Sequence, residues 1–293
     1  MAAFQTRHLS RRRLFAAAAS VLAAAACLGA AGGPQRIISI VPSTTEILFA
    51  IGAGPRVVAV GSYDHYPPAV EALPRVGALL DPNTERILSL KPDLVVLYGT
   101  QTDLITTLRR ARIPFFGYEH KGLADITQTI RALGARVGSA PEATALADSI
   151  DKQLADTRAR TANLPHPRTL LVFGREPGSL RNIDASGGTG FLHDMLVTAG
   201  GTDILADIRR QSVNMSTEMV LTRAPEVIIE VHSPAGGFAA ASDLTPWNAL
   251  SSIPAVKNHH VYSLTGDEFV VPGPRVVAAV AALEHTLRAA RAK

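Results

Sequence analysis

Two stretches of the chain, TERILSLKPDLVV at residues 84–96 and TEMVLTRAPEVII at residues 217–229, align without a gap, 133 positions apart. Both follow the pattern Thr-Glu-x-[Ile/Val]-Leu-[Ser/Thr]-x-x-Pro-[Asp/Glu] and end in three branched apolar residues. The first half of each stretch predicts a short helix, and the apolar run after the proline predicts a buried strand. The separation is too long for a solenoid repeat, so the sequence predicts the duplication of a whole lobe.

Around the first copy, short apolar runs alternate with amphipathic segments. Strands rich in Val, Ile and Leu that are separated by helices are typical of a parallel sheet covered on both faces, so residues 34–139 are predicted to form an α/β lobe. The predicted strands are 36–41, 57–60, 94–98 and 115–118, and the predicted helices are 44–52, 84–90, 104–111 and 126–133.

Residues 141–163 contain no glycine and only the starting proline, with Leu146, Ile150 and Leu154 at intervals of four. This pattern predicts one long helix of about 22 residues within a linking segment at 140–164. A second α/β alternation starts after Pro165 and Pro167, and it predicts a C-terminal lobe over residues 165–293. The expected fold is α/β, with two similar lobes that contain central parallel sheets, one long connecting helix and a ligand cleft between the lobes.

The start of the chain predicts export. Four arginines within the first 13 residues precede an apolar, alanine-rich run that is short for a membrane span. Residues 1–31 are therefore predicted to be a cleaved signal peptide of the Tat or Sec type, which places the mature protein in the periplasm or another extracytoplasmic space. Cleavage before Cys27 would instead give a lipid anchor at that residue. Cys27 is the only cysteine, so the sequence excludes disulfides and thiolate sites from the mature chain.

The charge balance excludes other partners. The chain has 29 basic and 25 acidic residues, and removal of the four leading arginines leaves 25 of each. A neutral mature protein has no basic excess with which to bind nucleic acid or anionic lipid. The sequence contains no P-loop, dinucleotide fingerprint or nucleophile elbow, so we expect neither an enzyme nor a cofactor.

Ser43 to Glu46 predict a helix capping box.

Five motifs carry a resemblance to a known family: SYDHYPP at 62–68, NTERILSLKPDLV at 83–95, STE at 216–218, WNAL at 247–250 and PGPR at 272–275. With them, the whole mature chain resembles the periplasmic binding proteins of ABC importers for vitamin B12, haem and iron siderophores, the class with a single linking helix. It is most similar to the cobalamin-binding members. The resemblance implies a monomer that captures a small molecule and delivers it to a membrane permease dimer.

The resemblance also implies a ligand site. A corrinoid is a large flat ring, and it is expected to contact aromatic faces and a few polar groups. The corresponding residues are Tyr63, Tyr98, Phe173 and Asp267, and Arg175 is a further candidate for the ligand's propionamide, carboxylate or phosphate groups. Three other aromatic positions of the family pattern are occupied by Leu79, Ser179 and Ser212. Cobalamin or another corrinoid is the expected ligand, and haem or a ferric siderophore is the alternative.

Glu85 and Glu218 occupy the same position in the two copies of the duplicated stretch, after Asn83 and Ser216 as predicted N-caps. A carboxylate in the first turn of a helix interacts favourably with the helix dipole. In the family that the chain resembles, the corresponding glutamates meet arginines of the permease. We therefore expect both residues to dock on the permease.

A metal site is the competing hypothesis. His65, His120 and His232 all follow predicted strands, and together with Asp267 they form a possible set of ligands for a divalent metal, as in related zinc and manganese binding proteins. Their spacing is too wide to define a coordination geometry.

Overall fold

The computed structural model describes residues 33–234 and 243–291. The predicted signal peptide and Cys27 lie outside the described residues. Among the described helices, none is both long enough and apolar enough to cross a bilayer.

The N-terminal lobe is built on a four-stranded parallel sheet with the strand order β2-β1-β3-β4. Its strands are β1 (Ile37–Ser39), β2 (Val57–Val60), β3 (Leu94–Tyr98) and β4 (Phe115–Tyr118), and its helices are α1 (Pro42–Ala50), α2 (Thr84–Ser89), α3 (Thr102–Arg110) and α4 (Ala124–Val137). Successive residues of β3 enter two different apolar clusters, one on each face of the sheet. This confirms a parallel sheet that is covered on both sides.

The long helix α5 (Ala140–Thr161) contains 22 residues and starts two residues after Gly138, which ends α4 in a left-handed conformation at φ 75°. Helices α4 and α5 pack closely together. At their contact, a Cβ atom built on Gly134 would lie 2.1 Å from the Cβ of Ala143, so only glycine allows this approach.

The C-terminal lobe contains strands β5 (Arg168–Gly174), β6 (Ile183–Ser186), β7 (Thr202–Asp203), β8 (Ser212–Met215), β9 (Val227–His232) and β10 (Val261–Thr265). Its sheet has the order β10-β9-β5-β6-β8, and β7 pairs with β5 beside this path. Strands β5, β9 and β10 are parallel, whereas β6 pairs antiparallel with both β5 and β8. The sheet therefore keeps the expected parallel centre of β5, β9 and β10 and adds two antiparallel pairings through β6.

The helices of the C-terminal lobe are α6 (Phe191–Thr198), α7 (Thr217–Arg223), α8 (Pro254–Lys257) and α9 (Val276–Arg291). Helix α5 packs against α6 and α9 as well as against α4. One continuous cluster of buried apolar residues runs from the N-terminal sheet through α5 to α9. The linking helix is thus part of a core that both lobes share.

The duplicated stretches occupy equivalent places. In the N-terminal lobe, the short helix α2 leads into β3, which lies between β1 and β4 in the sheet. In the C-terminal lobe, the short helix α7 leads into β9, which lies between β5 and β10. Both N-cap predictions are confirmed, because the Asn83 side chain accepts from the Arg86 N–H at 2.9 Å and Ser216 accepts from the Met219 N–H at 3.3 Å.

We predict that Gly134→Ala lowers the free energy of unfolding by about 1–3 kcal/mol, because the added methyl group forces α4 and α5 apart. Alanine is the better helix former by about 1 kcal/mol, so a purely local effect would have the opposite sign. Urea denaturation measures the change. The double variant Gly134→Ala/Ala143→Gly should recover much of the loss, and an equally unstable double variant would contradict the proposed contact.

Candidate functional site

Residues that follow β1, β2, β9 and β10 line a cavity between the lobes, because the carboxyl ends of the parallel strands in both sheets face the same cleft. The cavity measures about 170 Å³. Its walls consist of Pro42, Glu46, Tyr63, His65 and Tyr66 from the N-terminal lobe, and Ser233, Asp267, Val270 and Val271 from the C-terminal lobe.

A second cavity of about 510 Å³ adjoins the first on the N-terminal side and shares Pro42 and Tyr63 with it. Its remaining lining residues are Ile40, Ser62, Ala78, Leu79, Leu80, Asp81 and Tyr98. The Tyr63 side chain is prominent, since 66% of its surface is exposed. The two cavities together form one site, with a mostly apolar wall in the N-terminal lobe.

The structure thus brings together three of the predicted ligand-binding residues, Tyr63, Tyr98 and Asp267. Asp267 accepts a hydrogen bond from the Ser233 hydroxyl. The Tyr98 ring contacts Tyr118 edge to face, with 5.7 Å between the ring centroids. Of the three positions that depart from the family pattern, Leu79 lines the site, whereas Ser179 and Ser212 do not.

Phe173 and Arg175 do not line either cavity. Phe173 is partly buried against the apolar cluster that both lobes share. Arg175, expected to face the ligand, is instead buried with a fully occluded side chain, and its Nε lies 2.6 Å from Oε1 of Glu230. The same carboxylate oxygen accepts from the indole N–H of Trp247 at 2.6 Å. A buried guanidinium needs such a counter-charge, and this explains why Arg175 turns away from the cleft.

The metal hypothesis gains no support from the geometry. Among residues 33–234 and 243–291, no group of three or more His, Cys, Asp or Glu side chains is arranged to hold a metal ion. His65 lies 3.2 Å from Glu71, His120 lies in an aromatic cluster, and His232 lies 3.2 Å from Glu230. Of these four residues, His65 and Asp267 line the cavity between the lobes, whereas His120 and His232 do not.

An ion pair joins the lobes at the edge of the site. Arg275 donates from Nη2 and Nε to the two carboxylate oxygens of Glu46, at 2.6 and 3.0 Å. Its Nη1 donates to Glu268 at 3.1 Å, and its guanidinium lies 4.2 Å from the centre of the Tyr66 ring. Glu46 is only 4% exposed, and burial raises the pKa of its carboxyl group even with Arg275 beside it.

This pair corrects the predicted capping box. Helix α1 begins at Pro42 rather than after Ser43, and its N-cap residue, Val41, offers no side-chain cap. Glu46 therefore lies inside the helix and binds across the cleft. The sequence predicts only a capping role for Glu46 and only a motif position for Arg275. No spacing rule connects two residues that lie 229 positions apart.

The lobes also meet at the loop after β4. The His120 ring stacks near Tyr118, with centroids 6.2 Å apart, and meets the edge of Phe191 on α6 at 5.6 Å. The Leu123 N–H donates to the carboxylate of Asp194 on α6 at 2.8 Å. The lobes therefore contact each other here as well as through the Glu46–Arg275 pair.

Asp64 follows the exposed Tyr63 in the loop after β2. It is 1% exposed, so its carboxylate is almost completely shielded from water. Burial raises the pKa of Asp64 to about 7, and the nearby Thr45 hydroxyl and Arg75 charge lower it only in part. The Arg75 guanidinium donates instead to the backbone carbonyls of Gly61 and Asp64 and to Glu71.

Comparison with known proteins identifies the family. A model of a periplasmic binding protein family matches residues 37–268. The chain belongs to this periplasmic binding protein family. A vitamin B12-binding protein of Salmonella typhimurium is 31% identical over 254 residues, which are 86% of this chain and 90% of that protein. Relatives with the same description from Yersinia pestis are 32% identical over 201 residues, covering 68% of this chain and 70% of theirs.

Solved structures agree in fold. The periplasmic vitamin B12 binding protein of Vibrio cholerae superimposes with a TM-score of 0.75 at 28% identity, covering 89% of this chain and 99% of that one. A periplasmic haem-binding protein from Roseiflexus sp. RS-1 gives a TM-score of 0.74 at 24% identity, with 88% and 100% covered. This periplasmic binding protein is therefore a solute-binding protein and not an enzyme. Proteins of this family deliver small molecules to ABC transporter permeases.

We predict that this periplasmic binding protein loses stability between pH 4 and pH 7 through Asp64. In the unfolded chain the carboxyl ionises near its ordinary pKa of 3.8, whereas in the folded protein it ionises at about 7. Between these values the folded state binds the extra proton, so the free energy of unfolding falls as the pH rises and levels off above 7. The total effect is about 4 kcal/mol at most.

The variant Asp64→Asn removes this titration while keeping the shape of the side chain. It should be more stable than the wild type at pH 8 and close to it at pH 4, as measured by urea denaturation across the range. Asp103→Asn, on the exposed first turn of α3, serves as the control and should follow the wild-type profile. A constant difference between Asp64→Asn and the wild type at all pH values would contradict the prediction.

Proposed function

We propose that this protein captures a corrinoid in the cleft between its lobes and delivers it to an ABC importer. The observation that carries the proposal is the chemistry of the lining: an aromatic and aliphatic wall faces carboxylates, and no lysine or arginine lies among the described lining residues. The similarity to vitamin B12-binding proteins over most of the chain supports the same ligand class.

The apolar wall suits a large flat ring. Tyr63 and Tyr98 present aromatic surface, and Leu79 adds an aliphatic face where the family pattern has an aromatic one. On the opposite side, Asp267 offers a hydrogen-bond acceptor next to Ser233. The side chains around a corrin ring end in neutral amides, and an amide N–H can donate to this carboxylate.

The charges disfavour the competing ligands. Haem carries two propionates, and many siderophores carry carboxylates, so a site for either should offer cations. Here Asp81 and Asp267 line the site as carboxylates outside any ion pair of the described structure, whereas Glu46 is paired with Arg275 and Arg175 is paired with Glu230. Residues 235–242, which lie outside the described structure, include no lysine or arginine. An uncharged set of amides fits this lining better than carboxylates do.

We further propose that residues 1–31 are removed on export, with a lipid anchor at Cys27 as the alternative, and that the mature protein acts as a monomer in the periplasm. We assign residues 34–139 and 165–293 to the two lobes and 140–164 to their connection. The homologous relation to periplasmic binding proteins supports the extracytoplasmic location.

We predict that the mature protein binds cyanocobalamin at least tenfold more tightly than hemin, a ferric hydroxamate siderophore or zinc. Isothermal titration calorimetry at equal ionic strength measures all four. Tyr63→Ala should weaken cyanocobalamin binding about tenfold, because loss of a stacking ring costs about 1.4 kcal/mol. Since Tyr63 is largely exposed, the melting temperature of the variant should be close to that of the wild type.

Leu164→Ala is the matched control, since Leu164 is an exposed apolar residue beyond the end of α5 and outside the site. Asp267→Asn removes a negative charge at constant shape, so it should reduce the preference for cyanocobalamin over hemin. If the wild type binds hemin or the siderophore more tightly than cyanocobalamin, that compound and not a corrinoid is the ligand. Binding of zinc alone would support the metal hypothesis.

Glu85 and Glu218 are proposed to contact the permease. Both are exposed and occupy the second position of equivalent helices. The caps of these helices are the side chains of Asn83 and Ser216, so the glutamates are not needed for that purpose. Within the described structure neither glutamate belongs to an ion pair, although the Ser216 hydroxyl lowers the pKa of Glu218. Two equivalent carboxylates on duplicated lobes match a permease dimer with twofold symmetry.

We predict that Glu85→Gln/Glu218→Gln lowers corrinoid transport at least tenfold in proteoliposomes that contain the importer, because truncation of a charge pair at an interface costs several kcal/mol. Ligand affinity and melting temperature should stay close to those of the wild type. Glu142→Gln provides the control, since Glu142 is likewise exposed in the first turn of a helix, α5. Transport by the double variant at the wild-type rate would contradict the docking role, and both glutamates would then act only in the first turns of their own helices.

A further inference from the structure

A short apolar loop forms one wall of the larger cavity at the cleft. Residues 78–81 all line this cavity of about 510 Å³. Leu79 and Leu80 also line a smaller cavity of about 170 Å³, whose other walls come from Pro82 and residues 100–104. Since the same two residues border both spaces, the loop is the partition between them. We call residues 78–81 the wall loop and the smaller space the outer cavity.

The wall loop presents apolar side chains at the rim of the site. Leu80 is 93% exposed and Leu79 is 40% exposed. One exposed leucine is ordinary, but two adjacent ones beside a ligand cavity are a surface that a ligand covers favourably. The exposed ring of Tyr63 lines the same cavity. The wall loop is therefore part of the surface that a ligand in this cavity contacts.

The base of the wall loop is closed by backbone contacts. The Asn83 N–H donates to the Val76 carbonyl at 2.9 Å, and Gly77 and Pro82 form an isolated antiparallel bridge. The Ser62 N–H donates to the Gly77 carbonyl at 2.8 Å. These contacts fix the two ends of the loop, whereas its tip needs a separate support.

Gln101 supplies the support at the tip. Its Nε2 donates to the Leu79 carbonyl at 2.9 Å, and its Oε1 accepts from the Tyr98 N–H at 3.0 Å. Because a carbonyl can only accept and a backbone N–H can only donate, these two partners also fix the orientation of the amide. Within residues 33–234 and 243–291, no other hydrogen bond joins the wall loop to the rest of the chain.

The local structure around Gln101 does not account for its side chain. Gln101 is the N-cap residue of α3, but its side chain makes no cap hydrogen bond. The residue is only 8% exposed, and a buried amide needs partners for its polar atoms. Both partners, Leu79 and Tyr98, line the larger cavity. The amide thus connects two parts of one binding wall, the end of β3 and the tip of the wall loop.

We propose that Gln101 is a positioning residue for ligand binding, which holds the wall loop and Tyr98 in one arrangement against the ligand. Without the amide, the tip of the loop can move toward the outer cavity, because only its ends stay fixed. A wall that is not held in place must be ordered when the ligand binds, and this lowers the affinity. The inference rests on the proposed function for the identity of the ligand, since the larger cavity belongs to the site proposed for the corrinoid.

The first test needs no ligand. Gln101→Met keeps the length of the side chain and removes both hydrogen bonds. The backbone order parameter of Leu79, measured by ¹⁵N relaxation, should fall from about 0.85 toward 0.6 in this variant. Leu164 is the internal control, because it is also 40% exposed but lies outside both cavities. Gln153→Met is the control variant, since Gln153 also donates to a backbone carbonyl but lies on α5, and it should leave the Leu79 value unchanged.

The second test measures affinity by isothermal titration calorimetry at a temperature well below the melting temperatures. The Kd for cyanocobalamin should rise at least fivefold in Gln101→Met and stay at the wild-type value in Gln153→Met. If the wild type binds hemin or the siderophore instead, the proposed function fails, and the same comparison is made with that compound. The order parameter of Leu79 tests the role of Gln101 in either case.

Gln101→Met also leaves the Tyr98 N–H without its acceptor, so this variant can lose stability. The wild type provides a measurement that needs no variant: the bound ligand should shift the backbone amide signals of Leu79 and Leu80 and leave that of Leu164 in place. A lower melting temperature with a wild-type Kd would make Gln101 merely structural and overturn the proposal. An unchanged order parameter at Leu79 in the variant, or a bound ligand that leaves the wall-loop signals in place, would overturn it as well.

Discussion

The ion pair between Glu46 and Arg275 fixes the distance between the two walls of the cleft. Its carboxylate is almost completely buried, and both of its oxygens accept from one planar guanidinium. Loss of Arg275 would leave the buried carboxylate of Glu46 without compensation, at a cost of about 3–5 kcal/mol. Glu46 and the Tyr66 ring that covers Arg275 both line the cavity between the lobes. The contact that joins the lobes is therefore part of the binding surface.

The long helix adds a second constraint of a different kind. Helix α5 packs on both lobes through an apolar cluster that is continuous from one sheet to the other. A shared core resists the sliding or rotation of one lobe against the other, because close-packed interiors do not deform continuously. Together with the contacts of His120 and Leu123 at α6, this gives a cleft whose shape is largely set before any ligand enters.

Local features of the chain could be predicted from the sequence. The duplicated stretch correctly predicts both helices, both N-caps and the two central strands, because each depends on residues that are neighbours in sequence. The uninterrupted pattern at residues 141–163 predicts α5 for the same reason. The antiparallel strands β6 and β8 escape prediction, because their short polar sequences carry no apolar run.

The candidate site could be predicted only in part. Tyr63, Tyr98 and Asp267 lie together at the cleft, as the resemblance to periplasmic binding proteins implies. The orientation of Arg175 depends on Glu230, which lies 55 positions away on another strand. The role of Glu46 depends on a residue near the other end of the chain. Partners so remote in sequence leave no periodic signal, so only the tertiary structure identifies them.

That remoteness also determines when the cleft can form. Glu46 lies in the first helix of the described chain, and its partner lies just before the last one, 229 residues later. Contacts between residues so far apart must close a very long loop, and they come late in folding. A ribosome or an export channel releases the N-terminal lobe first. The binding surface therefore cannot be complete until nearly the whole polypeptide has emerged.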